Sequence, residues 1–201
     1  GEIYNYLNLK KKYNIKTNTN SDTEIIVELF NKIGPKVFSL LEGMFAISIY
    51  DIANRKLYLA RDSFGIKPLY FYLKKKKLIF CSEIKGILEI EKNISINNKT
   101  IIDFIKWGGL DHSTETWFAN IENIEPGSYF LIDRNFNLKK FKYYKLQDNL
   151  FKNNFHKKDI PYIFKDLLKK SVKSQSQTAR SIGTNLSGGV DSSIVTSFLQ
   201  E

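Results

Sequence analysis

One run, Leu186-Ser187-Gly188-Gly189-Val190-Asp191-Ser192-Ser193, constrains the fold more than any other stretch of this chain. The apolar residues 181–186 before it read as a strand, and residues 192–201 after it read as a helix. A small-residue loop between strand and helix can turn consecutive backbone N–H groups toward a phosphate. The helix N-terminus beyond it adds partial positive charge. Gly188 and Gly189 remove side chains where a ligand would approach the main chain. Ser187, Ser192 and Ser193 supply hydroxyl donors. Asp191 supplies a carboxylate for Mg²⁺ or for fixing the loop. The plainer alternative is a Ser/Gly-rich turn that only caps a helix.

No lysine follows the glycines, so this is not the GxxxxGK[ST] nucleotide loop. SGGVDSS instead resembles the pyrophosphate loop (PP-loop) of the ATP pyrophosphatase superfamily. Such enzymes split ATP into AMP and pyrophosphate and adenylate a carboxylate or carbonyl oxygen. The resemblance implies that Leu186 meets the nucleotide through its backbone and that Ser187, Gly188, Gly189, Val190, Asp191, Ser192 and Ser193 cradle the pyrophosphate, with Mg²⁺ as the accompanying cation.

The 201 residues suffice for one full domain and part of a second. No apolar run reaches the length of a membrane span. Residues 1–5 carry neither an initiator Met nor a basic-then-apolar signal, and residues 197–201 stop inside a helical pattern. Both ends predict a fragment. The single cysteine, Cys81, excludes an internal disulfide and fits a reducing, cytoplasmic compartment. It reads as a buried structural thiol. His112 and His156 are too few and too far apart for a metal site.

The formal charge of +10 suggests nucleic acid, but the basic residues argue against it. Only Arg55, Arg61, Arg134 and Arg180 offer the guanidinium fork that base and phosphate readers favour; the remaining 27 are lysines scattered among Ile and Asn. The one dense run, Lys74 to Lys77, lies between two apolar strand candidates and reads as a solvated hairpin tip. No nucleic-acid or membrane partner is expected.

Along the chain, Ser21-Asp22-Thr23-Glu24 precedes the amphipathic residues 25–33, a capped helix. Gly34-Pro35 breaks it, and a short helix follows to Leu41. Residues 44–50 and 56–60 read as one hairpin, 69–73 and 78–81 as a second, and 129–133 and 138–143 as a third. Residues 83–90 and 100–107 read as short helices. Hairpins with helices bunched at the start predict an α+β layered domain with antiparallel sheets. Residues 148–158 are polar and basic, as in a linker; residues 159–173 have helical periodicity leading to the nucleotide loop. The boundaries are therefore 1–147, 148–158 and 159–201.

Five further stretches carry a resemblance. Gly1-Glu2-Ile3-Tyr4-Asn5 resembles the tail of NGEIYN, and Ser21 to Glu24 matches SDTE. Glu42 to Ala46 matches EGMFA, Arg61 to Tyr70 matches RDxxGxKPLY, and Phe80 to Lys85 resembles FASEIK. Together with Pro126-Gly127 and the nucleotide loop, they occur in the order found in glutamine-hydrolysing asparagine synthetases. The chain resembles that family over nearly all of its length.

The resemblance implies an N-terminal-nucleophile-type αββα sandwich, incomplete here, followed by the start of an α/β PP-loop domain. It implies a glutaminase that releases ammonia, and a ligase that adenylates aspartate with ATP so that ammonia displaces AMP from a β-aspartyl-AMP intermediate. Gly1 falls on the oxyanion-hole glycine. Glu2 falls on a position that holds glutamine, and Asp22 on the carboxylate that pairs with its α-ammonium. By spacing alone, Asp22 reads as a helix N-cap or first-turn acid. The family's nucleophilic cysteine, carboxylate-binding arginine and oxyanion asparagine fall upstream of Gly1. This predicts a fragment without glutaminase activity and a sandwich lacking its first strands. Residues 178–183 depart from the family's SDVPxG. Arg61, Asp62 and Lys67 read either as functional charged loop residues or, preferably, as an internal charge network rigidifying the turn before Pro68. Family members are often dimeric. Two alternatives stay open: a sibling ligase acting on another carboxylate, such as a cell-wall, capsule or antibiotic precursor, and a degenerate, non-catalytic glutaminase module.

Overall fold

The structure, a computed structural model, describes residues 1–109, 113–150, 155–177 and 181–200. The chain divides into two compact units, Gly1–Asp148 and Asn149–Glu201.

The first unit opens with β1 (Glu2–Ile3), α1 (Tyr6–Lys12) and α2 (Asp22–Ile33), then a 3₁₀ segment Gly34–Leu40. Strands β2 (Gly43–Met44), β3 (Ala46–Asp51), β4 (Lys56–Arg61), β5 (Tyr70–Lys74) and β6 (Lys77–Cys81) follow. Helices α3 (Ile84–Ile90) and α4 (Asn98–Trp107) precede β7 (Ile121–Asn123), β8 (Ser128–Ile132) and β9 (Leu138–Lys142). All pairings of these strands are antiparallel: β1 with β2, a four-stranded sheet in the order β3-β4-β8-β9, and a three-stranded sheet in the order β6-β5-β7.

Side-chain alternation stacks these sheets. On β4 and β8, Leu59, Phe130 and Ile132 face Leu69 and Phe71 of the other sheet and its approach, forming the central core with Ile124. The intervening residues Tyr58, Ala60, Tyr129 and Leu131 face the other way, onto Ile25, Ile26, Leu29 and Phe30 of α2 and Val37 and Phe38 of the 3₁₀ segment. On the second sheet, Tyr72 and Ile79 turn outward onto Ile87 of α3 and onto Ile121. The order is helices, four-stranded sheet, three-stranded sheet, helix: a four-layer αββα sandwich.

The turns explain the register. Lys75 and Lys76 both take positive φ (50° and 60°), the two-residue turn that matches strand twist, although neither is glycine. Asp133 Oδ1 accepts the N–H groups of Asn135 and Asn137, closing the β8–β9 turn. The apolar residues 44–50 expected as one strand are split at Phe45 into β2 and β3, because Phe45 bonds to Asp62 outside either ladder.

In the second unit, α5 (Ile160–Gln175) and α6 (Val190–Gln200) pack on one another. The expected strand at 181–186 is not formed: residues 181–187 have no assigned secondary structure. A strand needs a ladder partner, and no strand is present among the described residues of this unit. The departure at 178–180, and His112, lie outside the described residues.

Candidate functional site

Three residues expected to hold glutamine come together at one end of the sandwich. Ser21 caps α2 by accepting the Thr23 N–H at 3.2 Å, which places Asp22 at the first helical position. The half-buried Asp22 carboxylate then accepts the Ile3 N–H at 3.1 Å. That bond ties the strand carrying Gly1 and Glu2 to the N-terminus of α2. Glu24 does not reach back to Ser21 as a capping box requires. It accepts the N–H groups of Asn18 and Thr19, and these bonds, with the Thr19 hydroxyl first among them, hold its carboxyl below the usual range.

The other side of β1 rests on bare backbone. A Cβ on Gly1 would stand 2.7 Å from the Met44 carbonyl and 3.0 Å from the Phe45 Cα; one on Gly43 would strike the Glu2 carbonyl. Glycine at both positions lets the two main chains touch. Gly1 and Glu2 remain exposed, and Tyr4 is half-buried. Burial first, then the carboxylates of Glu2 and Asp62, pushes the Tyr4 phenol up from its ordinary value. The Asp22 carboxylate held at the Ile3 N–H, with Glu2 on the same strand, suits the ammonium end of an amino acid.

Arg61 and Asp62 behave as the network reading expects. Asp62 is fully buried, and its carboxylate accepts N–H groups from Phe45, Phe64, Ile66 and Lys67 at 2.9–3.2 Å. The Arg61 guanidinium donates to the carbonyls of Lys67, Ile124 and Gly65 and to Asn123 Oδ1. Burial is the main cause that lowers its pKa. Lys67 enters this network through its backbone. Asp62 is spent on main-chain groups and Arg61 on main-chain groups and the Asn123 amide, so together they tie the 63–67 loop to Phe45 and to residues 123–124. Clefts of about 780 Å³ and about 1250 Å³ occur elsewhere on this unit, and neither is lined by Gly1, Glu2 or Asp22.

Cys81 departs from the buried thiol expected. It is half-exposed at the end of β6, because it stands on the outer face of the second sheet, where α3 covers it only in part. Its Sγ would lie 2.6 Å from a Cβ on Gly86. His156 is exposed, and no group of three or more metal-ligating side chains occurs among the described residues.

In the second unit the loop at residues 186–193 is open. Gly188 takes φ +80°, and nothing lies within 4 Å of where its Cβ would stand. Ser187 and Ser192 hydroxyls are 3.0 Å apart, and the Ser192 and Ser193 hydroxyls donate to the Gly189 carbonyl. Leu186 and Val190 are exposed, and Asp191 lies in the first turn of α6. The first-turn N–H groups of a helix have no intrahelical partner. Bare glycine and those first-turn donors fit a polyphosphate, while the Ser192 and Ser193 hydroxyls would have to leave the Gly189 carbonyl to join them. One carboxylate beside phosphate oxygens is a common Mg²⁺ arrangement.

Sequence reasoning missed Tyr4, Asn5 and Gly43 as neighbours of this site. Tyr4 and Asn5 belong to the NGEIYN resemblance and Gly43 to EGMFA, but residue type alone assigned them nothing.

Two family models match the chain. The glutamine amidotransferase domain family matches residues 1–144, and the asparagine synthase family matches residues 164–201. A putative glutamine-hydrolysing asparagine synthetase 2 of Methanocaldococcus jannaschii is 36% identical over 100% of this chain and 39% of its own length. Asparagine synthetase 2 of Bacillus subtilis is 37% identical, over 100% of this chain and 28% of its own. The chain thus spans well under half the length of these curated relatives. A solved B. subtilis glutamine phosphoribosylpyrophosphate amidotransferase, complexed with ADP and GMP, is 17% identical with a TM-score of 0.48, covering 97% of this chain and 41% of that one. With a family match over residues 1–144 and relatives that align along the full length of this chain, the chain belongs to the glutamine amidotransferase domain family, and a segment similar to asparagine synthase follows that domain.

Proposed function

We propose that the chain is part of a glutamine-dependent, ATP-consuming amide ligase that converts aspartate to asparagine. Residues 1–147 act as the glutaminase domain, 148–158 as a linker, and 159–201 as the opening of the ATP-binding domain. The observation that carries this reading is the Asp22–Ile3 hydrogen bond, which brings Gly1, Glu2 and Asp22 to one place.

In this reading the Gly1 N–H donates to the oxyanion formed as the glutamine amide is attacked. Asp22 and Glu2 take the substrate's α-ammonium and fix its orientation. Asp22 has one oxygen engaged with Ile3 and a second that lies near the Thr23 hydroxyl at the solvent edge, where an ammonium can compete for it. In the second unit, the Gly188–Gly189 backbone and the Ser187, Ser192 and Ser193 hydroxyls receive the ATP polyphosphate, and Asp191 is placed for Mg²⁺. ATP supplies the adenylyl group that makes the aspartate carboxylate reactive toward ammonia. The single half-buried cysteine and the lack of any membrane-length apolar helix among the described residues accord with a cytoplasmic enzyme of small-molecule substrates.

The test is product formation by the whole protein supplied with glutamine, aspartate and Mg²⁺-ATP. Asparagine, AMP and glutamate in equal amounts support the reading. Glutamate and AMP formed only when a different carboxylate replaces aspartate would move it to a sibling ligase. No ammonia release from glutamine under any condition would end it.

A further inference from the structure

We infer that Asn5 is a positioning residue: its carboxamide sets the register of β1 on β2, and through it the place of Gly1 and Glu2. The inference rests on the glutamine reading above for what that register serves.

The β1–β2 ladder is short, pairing only Glu2 with Met44 and Ile3 with Gly43. Only Ile3 of this ladder reaches the core, and the glycines Gly1 and Gly43 allow the close approach without a side chain of their own to grip it, so two pairs alone hold the register. Asn5 supplies what the ladder lacks. Its Nδ2 donates to the Leu40 carbonyl at 2.9 Å, and its Oδ1 accepts the Glu42 N–H at 3.1 Å. Next to it, the Tyr4 N–H donates to the Glu42 carbonyl at 2.7 Å. Both ends of one planar amide therefore grip the chain on either side of Leu41, which is itself buried. A slip of one residue would break both bonds.

The side chain forgoes a local role to do this. Asn5 is the N-cap of α1, a position where asparagine ordinarily bonds the first helical N–H groups, and it makes no such bond. The amide is turned instead to residues 35 and 37 positions away. Asp22 holds the Ile3 N–H from the opposite side. Asn5 thus fixes β1 along its axis, while Asp22 fixes it laterally.

The experiment compares Asn5→Ala and Asn5→Asp with Ile87→Val, a destabilising change remote from β1. Amide exchange is read at Ile3 and Tyr4. In the whole protein, glutaminase kcat and KM and ammonia-fed amide synthesis are read alongside. Both Asn5 variants are expected to speed exchange at Ile3 and Tyr4 about tenfold and to raise the KM for glutamine about tenfold. Ammonia-fed synthesis stays at the parent level, and Ile87→Val moves neither KM nor those two amides. Wild-type protection of Ile3 and Tyr4 in both Asn5 variants would overturn the inference, as would an unchanged KM alongside faster exchange. If the unaltered whole protein hydrolyses no glutamine, the proposed function fails. The exchange measurement then still upholds or overturns the hold of Asn5 on β1.

Discussion

Asp62 and Phe45 bond each other in both directions: the Asp62 carboxylate accepts the Phe45 N–H at 3.2 Å, and the Asp62 N–H donates to the Phe45 carbonyl at 2.9 Å. The same carboxylate collects three more N–H groups from the 63–67 loop. Asp62→Asn replaces one acceptor oxygen with an NH₂ that faces N–H donors. The variant should lose about 2–4 kcal/mol of stability, read as a lower urea midpoint at unchanged slope.

Arg61→Lys tests the neighbouring cation. A lysine keeps the charge but presents a single nitrogen where Arg61 reaches four acceptors spread over Gly65, Lys67, Asn123 and Ile124. Some of those buried carbonyls lose their donor. A loss of about 2–3 kcal/mol is expected, and thermal unfolding midpoints measure it. A midpoint equal to the parent's would show that charge alone suffices here.

Tyr143 gives a pH dependence of known sign. Its hydroxyl donates to the Arg61 carbonyl at 2.6 Å, and burial holds its proton on well above the ordinary tyrosine value. The folded pKa is raised, so this contribution is complete below the unfolded value of about 10 and is lost as pH climbs beyond it. Tyr143→Phe should cost about 1 kcal/mol at pH 7. It should also flatten the alkaline decline in the melting midpoint above about pH 10. Parallel declines in the two proteins would contradict this assignment.

Gly43→Ala should displace β1. The added methyl would collide with the Glu2 carbonyl, a backbone atom that cannot rotate away. Faster amide exchange at Ile3, a stability loss of about 1–3 kcal/mol and a drop in glutaminase rate should appear together. Normal protection at Ile3 would mean that the strand has room to shift.

Gly188→Ala probes the other unit. At φ +80° a side chain strains the backbone even where space is open. In the whole protein, ATP consumption should fall at least about tenfold, the loss expected when about 1–3 kcal/mol of strain misplaces the loop. Glutamine hydrolysis should be affected far less. Equal losses in both reactions would point to general unfolding.

The three hairpins were readable because turn residues such as Asp51-Ile52-Ala53-Asn54 and Asp133 to Asn137 separate alternating apolar runs. Helix α2 was readable from its cap and period. Strands β1 and β7 were not, since two or three residues show no periodicity. Helix α1 was hidden because Leu9 is its one buried residue and three lysines end it. The strand expected at 181–186 shows the opposite failure: apolar composition suggested a strand, but pairing depends on a neighbour that local sequence does not encode. Gly1, Glu2 and Asp22 were singled out only through a family pattern, whereas the contacts of Asn5 and Gly43 depend on main-chain atoms some forty residues distant. Residue type gives no hint of such partners.

Where β1 crosses β2, peptide planes meet with nothing grafted between them. Most surfaces change shape by exchanging one side chain for another, but here there is none to exchange. Any variation at this end of the molecule must come from the side chains around it, from Glu2, Tyr4 and Asp22, while the β1–β2 contact keeps the fixed dimensions of polypeptide itself.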